Sequence, residues 1–107
     1  MLGGWQLISL AAEGEDLAVS EVSMTYDGWH MSGWTPCGRY DAEVQVTGQH
    51  LRIGEIVQQG GGLSSCPSGN GGYYLPVLGE VTAFTFDSGA LVLIGPTVLI
   101  RFKRMKD

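Results

Sequence analysis

Charge is scarce in this chain. Of its 107 residues only 16% are Asp, Glu, Lys or Arg, and six basic residues stand against eleven acidic ones, for a formal net charge of −5. So acidic a balance argues against nucleic acid as a partner, because affinity for a phosphate backbone comes from neutralising it with Lys and Arg. Long apolar runs are missing too. None approaches the ~20 residues of a membrane-spanning helix, so no integral membrane segment is expected. The opening Met1-Leu2-Gly3-Gly4 has no basic start and no apolar h-region, and no signal peptide is read there. Cysteine is limited to Cys37 and Cys66, a number that suits one bridge in an exported domain and equally two buried thiols in a reducing compartment.

Several chemistries are absent by motif. There is no GxSxG elbow, and Ser64-Ser65 lies in a glycine-rich stretch unsuited to holding a nucleophile. The Gly60 to Leu63 segment lacks the lysine and following helix of a phosphate loop. His30, Cys37, His50 and Cys66 are four potential zinc ligands, but each stands alone without the paired spacing of a structural site. Asp41 and Glu43 share a strand face at i, i+2, where most such pairs are simply solvated. No catalytic residue, metal or cofactor is therefore expected, and the chain is read as not an enzyme.

What is present is strand periodicity. Tyr40, Ala42, Val44 and Val46 alternate with Asp41, Glu43 and Gln45, the pattern of a half-buried antiparallel strand. Similar runs occupy approximately residues 4–11, 17–26, 29–34, 51–57, 81–86, 91–94 and 97–104. Asp27-Gly28, Thr47-Gly48, Asp87-Ser88-Gly89 and Gly95-Pro96 supply the turns between them. The length suits one domain spanning residues 1–107. The expected architecture is all-β: an antiparallel barrel or cracked barrel of about eight strands. Residues 58–73, QQGGGLSSCPSGNGGY, form the exception and read as a long loop. A bridge from Cys66 to Cys37 would tether it, closing about 30 residues and contributing roughly 3–4 kcal/mol on the chain-entropy model. After the loop, Tyr73 to Leu78 read as one short helical turn plugging one end of the barrel, limited by Pro76 and ended by Gly79.

The acidic residues Glu13, Glu15, Asp16 and Glu21 lie near the N-terminus, and Arg101, Lys103, Arg104 and Lys106 near the C-terminus. If the first and last strands are neighbours, these groups face each other, though a solvated, edge-protecting pattern is the favoured reading. Trp5 and Arg101 are expected to stack and close one barrel end, as lipocalin-type barrels do. Trp29 and Met31 share one face of their strand while His30 and Trp34 share the other; the favoured reading packs Trp29 and Met31 in the core.

The order of these features resembles a known family. A Trp in the first strand, an SG turn before PCGRY, an alternating strand leading to LRIG, a second cysteine in SSCP, then YYLPVLGEVTAF, ALVLIG and LIRF look like the META domain, the HslJ-like family. The match covers nearly the whole chain, with Gly38 standing where an asparagine is common. The resemblance implies a small, mostly β domain with a barrel-like sheet and a short helix, in exported, periplasmic or envelope-associated bacterial proteins linked to stress phenotypes and without an established enzymatic activity.

Two functional expectations remain. One is a monomeric binding module, taking either an apolar ligand in a mouth lined by Trp29, Trp34, Tyr40, Val44, Phe84 and Phe86, or a partner protein along an exposed edge. The alternative is a stress-protective structural domain with a filled core. Inward residue size separates the two, because an eight-stranded barrel is just wide enough to be packed solid or to hold one small molecule.

Overall fold

The computed structural model describes residues 2–17, 22–35, 38–59 and 74–105. In chain order they form β1 (Gly3–Ala12), β2 (Glu15–Leu17), β3 (Ser23–Tyr26), β4 (His30–Thr35), β5 (Gly38–Thr47), β6 (His50–Ile53), β7 (Val57–Gln59), α1 (Tyr74–Leu78), β8 (Ala83–Asp87), β9 (Ala90–Ile94) and β10 (Val98–Arg104). All pairings are antiparallel. Eight strands close into a ring in the order β1-β3-β4-β5-β6-β8-β9-β10 and back to β1. The remaining two extend their neighbours: β2 lies along β1 beyond β3, and β7 along β5 beyond β6. The runs at 17–26 and 51–57 are thus each split in two, while the ring keeps the expected eight strands.

Closure rests on β1 and β10, paired from Trp5 opposite Arg104 to Ala12 opposite Val98. A bulge between Leu7 and Ser9 inserts Ile8 into this ladder. It resets the alternation, so Trp5 and Leu10 are both buried although their positions have opposite parity. Two of the two-residue hairpins turn on Glu13-Gly14 (φ 54° and 80°) and Ser88-Gly89 (φ 52° and 84°), positive at both central positions as a type I′ turn requires. The ring is weakest between β6 and β8, which meet at His50 opposite Ala83. There Leu51 N–H donates to the Thr82 carbonyl (2.8 Å) and Phe84 N–H to that of Gln49 (2.9 Å).

One end of the ring, here called the lower end, carries the β3–β4, β5–β6 and β8–β9 turns, the start of β1 and the finish of β10. The upper end carries the β1–β2 and β9–β10 turns. Antiparallel closure therefore separates the charges: Glu13, Glu15 and Asp16 are exposed at the upper end, while Lys103 and Arg104 pair with Gln6 and Trp5 at the lower one. Among the described residues, the acidic and basic groups do not face each other.

The interior is filled. Inward side chains of the ring, among them Trp5, Leu10, Met24, Met31, Val44, Leu91, Leu93, Ile100 and Phe102, form one buried cluster. Helix α1 adds Tyr74, Val77 and Leu78 to it. The Tyr74 ring packs edge-on against Tyr40 and Phe102, with centroids 5.3 and 6.4 Å apart. Its hydroxyl lies 2.7 Å from that of Tyr40, which in turn donates to the Ser23 carbonyl at 2.7 Å. A buried polar group needs such partners, and this chain ties the helical plug to β5 and β3. Gly33 makes the same corner possible: a Cβ there would strike the Ser23 carbonyl and approach the Tyr40 hydroxyl to 3.0 Å.

Two stability predictions follow from this corner. Gly33→Ala should lower stability by about 1–3 kcal/mol in urea unfolding, as overpacking does; a change within about 0.5 kcal/mol would show that β3 and β4 can part freely. Tyr40→Phe strands two partners and should cost about 1–3 kcal/mol, whereas Tyr74→Phe leaves the bond to Ser23 intact and should cost about 1. Burial raises the pKa of both phenols, and for Tyr74 the neighbouring Tyr40 raises it further. The unfolded chain thus releases these protons first, near pH ~10, so their contribution is present below that pH and lost as pH climbs above it. The urea midpoint should fall above pH ~10, less steeply in Tyr74→Phe.

Candidate functional site

The side chains expected to line one apolar mouth do not converge. Tyr40 and Val44 are core residues, and the Tyr40 hydroxyl is committed to Ser23 and Tyr74. Trp34 points outward, 60% exposed, from a position paired with Arg39. Met31 is buried as read from the strand pattern, but Trp29 is not: it is 62% exposed. The reason is local. Trp29 precedes β4 in the turn after Gly28 (φ 117°), where Asp27 Oδ1 accepts from the backbone N–H of Trp29 (3.2 Å) and of His30 (2.8 Å). Those two donors hold the Asp27 carboxyl below the usual carboxylate range.

The closing arginine is Arg104, not Arg101. Its guanidinium lies 4.2 Å from the centre of the Trp5 ring, and its Nη1 donates to the Leu2 carbonyl at 2.6 Å. Arg101 instead meets Asp87 at 3.1 Å on the outer surface. Strand parity explains the exchange: Arg104 has the parity of buried Ile100 and Phe102, and Arg101 the opposite one. That signal was present in the sequence as the alternation of LIRF. Cys37 and Cys66 lie outside the described residues, as does nearly all of the predicted loop.

Two surface features remain. On the outer face, the chain between β6 and β7 bulges, held by Gly54 N–H donating to the Glu43 carbonyl at 2.8 Å. Beside the bulge lies a groove of about 350 Å³ lined by His30, Asp41, Glu43, Glu55 and Val57, with His30 Nε2 3.7 Å from Asp41 Oδ1. Among the described residues no three His, Asp or Glu side chains are grouped to hold a metal ion.

The second feature is the lower rim, where exposed apolar side chains gather. Phe86, 50% exposed, lies 6.1 Å from Trp5 and 5.9 Å from half-buried Phe84. Trp5 leads to Arg104, Arg104 to Leu2, and Leu2 to Gly28 beside Trp29. Met105 N–H donates to the Gly4 carbonyl at 3.1 Å. Leu2, Trp29, Phe86 and Met105 are all exposed, as is Val46 near the lower end of β5. Beside this rim Gln6, Lys103, Arg104 and Met105 line a depression of about 460 Å³. Sequence reasoning chose Trp29 and Phe86 as lining of an apolar mouth, with Trp29 favoured as core packing; Leu2, Met105 and the basic pair carried no such signal.

An antiparallel near-barrel of eight ring strands with a short helical plug is the class of protein this geometry defines. Two uncharacterised small β proteins of known structure share it. One, from Burkholderia xenovorans and solved by NMR, has a TM-score of 0.77 and 20% identity over 98% of this chain and 83% of that one. The other, a DUF4847 family protein from Bacteroides vulgatus, has a TM-score of 0.72 and 13% identity over 98% of this chain and 94% of that one. At these identities the likeness is one of fold. No protein-family model and no curated protein sequence matches the chain.

The exchange of arginines can be checked directly. Arg104→Ala should cost about 0.5–2 kcal/mol by removing the contact over Trp5, and Arg101→Ala about 0–1, since its partner is surface-exposed. Urea unfolding followed by tryptophan fluorescence measures both, and the reverse order would restore Arg101 as the closing residue.

Proposed function

We propose that this protein is a non-enzymatic binding module that engages its partner through the apolar rim at the lower end of a filled barrel. The observation that carries this reading is the grouping of exposed Trp29 and Phe86 on one rim with Leu2 and Met105, linked through Trp5 and Arg104, whereas Ile8, Trp34 and Leu99 are exposed elsewhere on the surface. Large apolar groups exposed together mark interaction sites. The filled core works against an enclosed ligand. The likeness of the PCGRY, SSCP and YYLPVLGEVTAF segments to the META domain supports an envelope or stress-related setting for this activity. The alternative, a structural domain without a partner, draws on the same filled interior and leaves the rim without a purpose.

The test is a photo-crosslinking amino acid placed at position 29, at position 86 and, as control, at Gln45 on the outer face, in the cell that makes the protein. The expected outcome is an adduct of defined mass from positions 29 and 86 and none from 45. Adducts from neither rim position would leave the structural reading.

A further inference from the structure

Charge and apolar surface are distributed on this ring in a way that selects among partners for the rim, and the inference rests on the rim being the binding site. The net charge is −5, yet the lower end runs against that excess. Lys103 and Arg104 lie beside the rim, Asp87 is matched by Arg101, and Asp27 keeps its carboxylate turned to the backbone N–H groups of Trp29 and His30. Glu13, Glu15, Asp16 and Glu80 are exposed at or near the upper end. The lower end is therefore apolar at its tips and basic on its β1–β10 flank, with Asp41, Glu43 and Glu55 set back on the outer face beside His30, against which the Trp29 ring packs; the upper end is acidic.

We infer that the lower rim docks on an anionic lipid surface. Leu2, Trp29, Phe86 and Met105 enter the headgroup–acyl boundary, and the depression lined by Lys103, Arg104 and Gln6 receives a lipid phosphate. Tryptophan suits this boundary, where an apolar ring and a polar N–H are both satisfied. Basic groups beside inserted apolar ones add electrostatic attraction to the buried area, the pairing that peripheral membrane binding requires. Charge complementarity sets this occupant above a second copy of the chain: rim-to-rim pairing would bring Lys103 and Arg104 of two molecules together, whereas an anionic bilayer neutralises them. The acidic upper end then points away from the like-charged surface.

The experiment is flotation of the intact chain with vesicles of phosphatidylcholine alone and of equimolar phosphatidylcholine and phosphatidylglycerol. Binding to the mixed vesicles, weakened by added salt and at least tenfold poorer with phosphatidylcholine alone, is expected. Lys103→Gln should weaken it about fivefold. Trp29→Ser, at an exposed turn position where folding is undisturbed, should weaken it about tenfold, while Trp34→Ser on the outer face leaves it unchanged. Circular dichroism of each variant checks the fold. Absence of binding to mixed vesicles, or binding that survives Trp29→Ser, overturns the lipid inference. In that event a protein adduct crosslinked from positions 29 and 86 still upholds the rim as a binding site, and the absence of any adduct removes both.

Discussion

The pairing of β1 with β10 is the constraint on which the rest of the structure depends. It joins the two ends of the chain over most of both strands and converts an open sheet, with two exposed edges, into a ring. Without it Trp5 would have no Arg104 above it, Phe102 no enclosed interior to fill, and Leu2 and Met105 no common rim. The bulge at Ile8 is part of this constraint: it lets a ten-residue strand keep its apolar side inward against a partner whose alternation is unbroken.

A ring closed in this way encloses a narrow space, and the chain fills it from within and from above. Tyr74 descends from α1 onto Tyr40 and Phe102, and its hydroxyl is satisfied through Tyr40 at the Ser23 backbone. The polar link is specific where apolar packing alone is permissive, since a misplaced helix would leave phenol groups buried without partners. The consequence for function is outward: with the interior occupied, any recognition falls to the surface. The surface is uneven, with β4–β5–β6 outer faces that are polar apart from Trp34, an apolar lower rim and an acidic upper end.

Much of the fold was legible in the chain. The alternation of Tyr40, Ala42 and Val44 was enough to place them inside, and Gly-containing turns marked the hairpins after β3, β5, β8 and β9, though not the one at Glu13-Gly14. The division of the runs at 17–26 and 51–57 between β2 and β3 and between β6 and β7 was not legible, because both parts of each pair with the same long neighbour, β1 or β5, a matter of tertiary register. Of the site, Trp29 and Phe86 were picked out as aromatic, but Trp29 is exposed because it sits in the Asp27-Gly28 turn ahead of β4, and Phe86 because it lies near the lower end of β8. Val46 shows the same effect, having inward parity and yet being exposed near the end of β5.

By itself, then, the sequence determined an all-β class, the positions of most strands, the helical turn at Tyr74 and the parity by which Arg104 rather than Arg101 belongs with Phe102. These are properties of neighbouring residues, expressed by alternation and by backbone preference within a few positions. The tertiary structure alone decided the ring closure, the separation of acidic and basic ends, and the gathering of Leu2, Trp29, Phe86 and Met105 on one rim. Those residues come from four distant parts of the chain, and their proximity arises from antiparallel register and strand stagger, which no local pattern encodes.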